Sequence, residues 1–272
     1  MADDPIPAVT EARATGEIAA IFADIRTVYR VGVVNLIWRH LATIPDALPW
    51  AWQALRPLYV DGTIAREAAA FRTSLRAPVL PLVPPEVFAS LGLSSGDLAH
   101  IRGVLAAYDR TNSMALIALT AVSADDAMDL PSRERELVAS SSPSPDDIPL
   151  PALTPLNAMP PHVAALITRL NKFGTDAEHP ILASMYRHLS HWPPYLGLTW
   201  AALAPLNASR ALHAAIAATS DHAKTTAAGI RMPNTSAPPD ALAAIAPFIS
   251  DVLPKMVAIC GMLHAMTNAP DA

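Results

Sequence analysis

One cysteine, Cys260, stands among 272 residues. That is too few for a disulfide framework, a Cys-x-x-Cys redox centre or a cysteine-rich zinc site. Glycine is scarce at 10 residues, and neither a glycine-rich phosphate loop nor a His-Glu-x-x-His metal motif is found. Charged residues make up only 16% of the chain, with a net charge of −5, so there is no basic footprint for nucleic acid. No apolar run approaches the roughly 18 residues that suggest a membrane span. The N-terminus opens on Asp3 and Asp4 and carries no basic-then-apolar leader. The expectation is a soluble, cytoplasmic, metal-independent protein without a cofactor, nucleic acid or membrane partner; its oligomeric state is left open, a homodimer included.

What is abundant points to helix. Hydrophobic residues reach 52%, enough for a sizeable core, and alanine and leucine favour helix. Proline is frequent at 27 residues and ends helices. Alternation of strand type is hard to find. The fold class expected is all-α.

The chain also repeats itself. Residues 38–58 read WRHLATIPDALPWAWQALRPL, and residues 186–206 read YRHLSHWPPYLGLTWAALAPL. Ungapped, they share Arg39/Arg187, His40/His188, Leu41/Leu189, Pro45/Pro193, Leu48/Leu196, Trp52/Trp200, Ala54/Ala202, Leu55/Leu203, Pro57/Pro205 and Leu58/Leu206. Pro5-Ile6-Pro7-Ala8-Val9-Thr10 is echoed by Pro149-Leu150-Pro151-Ala152-Leu153-Thr154. Such a spacing is too long for a solenoid and fits an internal duplication. Two pseudo-symmetric helical half-domains, 1–138 and 150–272, are expected to pack as an intramolecular pseudo-dimer, joined by a Ser/Pro linker at 139–149. Each half is expected to run through helices near 15–30, 33–43, 46–59, 62–77 and 96–122, and near 161–172, 180–191, 194–206, 208–229 and 240–266. Asp97, which follows Ser94, Ser95 and Gly96, suits an N-terminal cap for the long helix. The repeated tryptophans read as core, and His40 and His188 as locks, each for its own half.

A single site in a duplicated fold should show where the halves differ. Half one carries Tyr108-Asp109-Arg110-Thr111-Asn112 where half two has Val252-Leu253-Pro254-Lys255-Met256. Asn112 heads an apolar run, so it either bends or caps the helix or aims an amide into an interior pocket. A buried amide there needs partners, or its desolvation costs about 1–3 kcal/mol. Half two also has Gly174-Thr175-Asp176-Ala177-Glu178-His179-Pro180. Asp176 and Glu178 read either as a solvated acidic helix start or as a general base. His188 and His191 share one helix face, but a metal site would need further ligands.

Short stretches resemble the group I α-haloacid dehalogenases: Arg30-Val31-Gly32-Val33, Leu41-Ala42-Thr43-Ile44-Pro45, Leu48-Pro49-Trp50-Ala51-Trp52, Asn112 in its apolar helix, Trp192-Pro193 and Phe248-Ile249-Ser250-Asp251. The resemblance implies an all-helical fold of two pseudo-symmetric halves with the site between them. It implies a family chemistry in which an aspartate activates water to displace halide from a small halocarboxylic acid, an asparagine helps hold the water and aromatic residues line the pocket. Residue by residue, Asn112 matches the asparagine and Ser184 the serine beside the catalytic aspartate. The aspartate's own position holds Met185, which takes no proton from water. The pocket aromatics fall on Val33, Leu36 and Ile245. The resemblance thus implies a diverged, aliphatic small-molecule pocket, for example for a short carboxylic acid, and not an efficient haloacid dehalogenase. The alternative is a hydrolase whose base is Asp176 or Glu178.

Overall fold

A computed structural model describes residues 6–124, 150–233 and 235–268, and among these there are helices and turns but no strand. The linker expected at 139–149 lies outside the described residues. The first series comprises α1 (Gly16–Tyr29), α2 (Leu36–Leu41), α3 (Ala47–Val60), α4 (Thr63–Ser74), α5 (Pro85–Ser90) and α6 (Ser95–Val122). The second comprises α7 (Pro161–Asn171), α8 (Ser184–Leu189), α9 (Pro193–Ala208), α10 (Ala211–Ala227), α11 (Ala241–Pro247) and α12 (Leu253–Thr267), with a π-helical turn at Phe248–Val252 between the last two. The short helix α5 was not anticipated from the sequence.

Helices α2 and α8 are shorter than the sequence suggests, because the residues ahead of each are pinned by side chains instead of helical hydrogen bonds. Before α2, the Glu11 carboxylate accepts the Val34 N–H at 2.8 Å and pairs with Arg26. Before α8, the Asn171 carboxamide donates to the Pro180 and Ile181 carbonyls, both at 3.2 Å, and accepts the Ala183 N–H at 3.1 Å. Both clamps deliver the start of a six-residue helix to one place in the molecule.

Proline does not end α3 and α9. These run through Pro57 and Pro205 to Val60 and Ala208. Each proline sits one turn from the helix end, so one intrahelical bond is lost. Its own carbonyl still accepts, from Asp61 N–H and Ser209 N–H respectively, at 3.0 Å. Helix α6 starts on a complete capping box between Ser94 and Asp97. Gly92-Leu93-Ser94-Ser95-Gly96 spells the Gly-x-Ser-x-Gly pattern of nucleophile turns, but here Ser94 is spent on the cap.

Apolar side chains form two cores. One holds α1 to α4, the second half of α6 and the π-helical turn; it includes the aromatic cluster Tyr29, Trp38, Trp52 and Tyr59. The other holds the first half of α6, α7 to α9 and most of α12. Helix α6 therefore passes from one core into the other, packed along α12 and flanked by α4 and α10. Trp38 and Trp52 are buried as core residues, whereas Trp50, Trp192 and Trp200 lie at core edges. The stretch Ala241–Thr267 is long and apolar enough to cross a membrane by composition alone, and more than half of its most apolar window is buried against the rest of the chain.

Gly174 shows how tightly the second core is closed. Its φ is +74°, and a Cβ there would stand 2.2 Å from Ile216 Cδ1. Gly174→Ala is expected to destabilise the protein by about 1–3 kcal/mol through strain and overpacking. Gly197→Ala, on the exposed face of α9 with nothing near its Cβ position, is expected to gain about 0.5–1 kcal/mol. Chemical denaturation of the two variants checks both signs.

Candidate functional site

Two adjoining cavities lie where the middle of α6 meets the first turns of α2 and α8. One has about 310 Å³ of non-atom space and the other about 370 Å³, part of it opening to solvent. Asn35, Leu36, Tyr108 and Ser184 line both. Val33 and Thr111 line the first; Asn112, Met185, Phe248, Val252, Leu253 and Met256 line the second. The clamps that place α2 and α8 thus also build the walls. The π-helical turn supplies Phe248 and Val252, a position where such turns often mark functional sites.

The polar groups sit mainly on one side. Asn35 Nδ2 donates to Thr111 Oγ1 at 3.3 Å and to Asn112 Oδ1 at 3.2 Å, tying the start of α2 to α6. Thr111 in turn donates to the Ala107 carbonyl. Asn112 is only 5% exposed, and its Nδ2 has no hydrogen-bond partner, so one end of its amide is spent and the other is free. Tyr108 Oη meets His188 Nδ1 at 2.9 Å. Burial pushes the Tyr108 hydroxyl above its ordinary range, while the guanidiniums of Arg39 and Arg187 pull the other way. Burial, and then the charges of His191, Arg187 and Arg39, lower the His188 pKa to about 4. The site lies in the field of two buried arginines, and neither cavity is lined by a described Asp or Glu.

Five of the residues expected from the sequence come together here: Val33, Leu36, Asn112, Ser184 and Met185. Three do not. Ile245 is fully buried on α11 and lines neither cavity, because it packs into the first core. Asp176 and Glu178 lie in a surface loop with side chains 74% and 88% exposed. Arg210 takes both oxygens of Asp176, at 2.7 and 2.9 Å, and holds its carboxyl below the usual carboxylate range. A carboxylate bound this way is a poor base for a distant cavity. Asp109, next to Tyr108 in the chain, lines neither cavity and pairs instead with Arg72 at 3.2 Å. Met185 is fully buried, its sulfur 3.0 Å from the Cys260 sulfur.

His188 also departs from expectation. His40 does lock its own half, bonding the Pro7 carbonyl at 2.7 Å, but His188 reaches Tyr108 on α6. Asn35, Tyr108 and His188 are the polar residues that reading the sequence missed as a set. The signal for Tyr108 was present, since it stands where the repeat has Val252. Among the described residues no three of His, Cys, Asp and Glu gather as a metal site.

No protein-family model matches the chain. A configuration-inverting 2-haloacid dehalogenase of Alcaligenes xylosoxydans xylosoxydans is 28% identical over 211 residues, covering 74% of this chain and 69% of that protein. The sequence is thus similar to a haloacid dehalogenase, and the comparisons support a diverged relative of that family. Its fold agrees. A D-2-haloacid dehalogenase in complex with L-LA superposes with a TM-score of 0.72 at 19% identity, covering 98% of this chain and 97% of that one. A mutant of a D-2-haloacid dehalogenase with D-2-CPA gives 0.71 at 19% identity, covering 98% and 96%.

In this dehalogenase relative the buried His188 has a consequence for stability. Unfolded, the imidazole titrates near pH 6.5; folded, near 4. Between these values the unfolded chain takes up a proton and the folded one does not, so stability falls as the pH is lowered through that window. The loss is expected to approach about 3 kcal/mol at pH 4. Urea denaturation from pH 7 to 4 should show this slope in the native chain and a shallower one in His188→Asn.

Proposed function

We propose that the chain binds a small organic molecule with one oxygen-bearing end, of the size of a short carboxylic acid, in the cavities between α2, α6 and α8, and that it does not efficiently hydrolyse haloacids. The observation that carries this reading is the wall itself. Met185 stands there, and no described lining residue is an Asp or Glu. Direct displacement of halide by water needs a base within hydrogen-bond reach of that water, and a thioether accepts no proton. Apart from Asn35, Tyr108, Thr111, Asn112, Ser184 and Phe248 the lining is apolar and non-aromatic, and the buried arginines nearby favour negative charge.

We infer also that the two halves arose by duplication and pack as a pseudo-dimer around this site. Support comes from the lining of the second cavity. In the ungapped registers of the repeat, it contains the pairs Asn35/Ala183, Leu36/Ser184, Ile37/Met185, Tyr108/Val252 and Asn112/Met256. Ten of its twelve lining residues fall in these five pairs. Within four of these pairs one residue is polar and the other apolar, and three of the four polar ones belong to the first half. A ligand in such a cavity would lie with its polar end towards α6.

The test is twofold. Wild-type protein with D- and L-2-chloropropanoate is expected to release halide at background rate, consistent with the roughly 10²- to 10⁴-fold lost without a base. Met185→Asp alone is expected to restore only a fraction, because the aliphatic walls remain and burial keeps a new carboxyl protonated. Robust wild-type halide release, abolished by Asp176→Asn or Glu178→Gln, would return the hydrolase reading. Titration with the same acids, followed by the Asn112 side-chain amide signals, should saturate in the wild type and not in Leu36→Trp, which fills the shared wall.

A further inference from the structure

The polar end of this site can be assigned more closely, on the footing of the binding reading above. Tyr108 lines both cavities, and its hydroxyl is 2.9 Å from His188 Nδ1. A hydroxyl both donates and accepts, so His188 decides which role is left for the cavity. The His188 ring is fully buried, and its Nε2 has no hydrogen-bond partner among the described residues. The low basicity that burial gives the ring keeps it neutral near pH 7, and a neutral imidazole carries one N–H. On Nε2, that N–H would be a buried donor with nothing to meet. On Nδ1, it is used in the bond to Tyr108 and leaves only a bare lone pair on Nε2. Buried donors without partners are the rarer case, and unmet acceptors are better tolerated.

We propose that His188 holds the Nδ1–H tautomer and donates to Tyr108 Oη, which makes the Tyr108 hydroxyl a hydrogen-bond donor to the cavity and selects ligands that carry an acceptor oxygen, as a carboxylate or a carbonyl does. The neighbouring amide fits this role. Asn35 Nδ2 is committed to Thr111 and Asn112, whereas Asn112 Nδ2 is free. On the α6 side the cavity therefore offers two donors, one phenolic and one amide, with the Ser184 hydroxyl of α8 beside Tyr108 completing the polar end. Tyr108 would touch the ligand; His188 acts through it as a positioning residue.

The first measurement needs no ligand. Nitrogen NMR of ¹⁵N-histidine-labelled protein at pH 7, with His188 assigned by its absence in His188→Asn, should show a protonated Nδ1 and an unprotonated Nε2. An Nε2–H tautomer or a doubly protonated ring would overturn the proposal. The second uses D- and L-2-chloropropanoate beside 2-chlorobutane, a similar molecule without the carboxylate. Tyr108→Phe is expected to weaken binding of the acid about tenfold, the worth of one hydrogen bond, and to leave 2-chlorobutane unchanged. His188→Asn, whose amide can donate as Nδ1–H does, should retain acid binding better than His188→Leu. Acid binding that saturates equally in wild type and Tyr108→Phe would refute the assignment of Tyr108 alone. No saturation by either acid in the wild type would refute the binding reading, and with it the ligand role of Tyr108, whatever the tautomer.

Discussion

Helices α6 and α12 lie against one another at the centre of the molecule, and α6 belongs to both apolar cores. Its outer turns are held by apolar burial on either side. Its middle, from Ala107 to Asn112, is where one core gives way to the other, and there close packing has no single partner to satisfy. A polar residue at that seam is surrounded by walls already fixed elsewhere. This is why Tyr108, Thr111 and Asn112 can be held rigidly without being packed away. The Glu11 and Asn171 clamps act on the same place from outside, fixing where α2 and α8 begin. Chemistry on this scaffold is thus decided by which side chains occupy a few prepared positions.

Most of the site residues singled out by the resemblance sit around this seam. Ser184 and Asn112 stand at the cavity, but Met185 and Cys260 face each other as two sulfurs in a fully buried contact. Two soft, polarisable groups pack well there, and a carboxyl introduced into the same fully buried space is pushed towards its protonated form. The lining of Val33, Leu36 and the π-helical turn likewise favours an apolar occupant body over a charged intermediate.

Helical content and the element order were legible in the sequence, because each rests on local chemistry: alanine and leucine propensity and proline spacing. A cap near Asp97 was legible too, although the capping residue is Ser94 and Asp97 answers it from N3. Five site residues were legible as well, through the register carried by Trp192-Pro193 and by Asn112. The carboxylates were not. Asp176 and Glu178 lie close in sequence to α8, yet the left-handed turn at Gly174 and the pairing with Arg210 carry that loop to the surface. Proximity along the chain is no guide once a glycine turn reverses it. Nor could the sequence say what the His188 ring would meet. The repeat equates it with His40, but a buried ring bonds whatever tertiary packing brings, and here that is a tyrosine eighty residues away.

The π-helical turn at Phe248–Val252 has a meaning for how this wall varies over time. A π turn accommodates one residue more than the α-helix it interrupts, and one residue is about 100° of helical rotation. Removing a single residue from it would regularise the turn to α-helix while α11 and α12 keep their own register, so the residues re-aimed are those of the turn itself, Phe248 and Val252 among them. A one-codon length change there therefore reshapes one patch of the wall without moving the helices on either side, a more abrupt step than a substitution at the same positions.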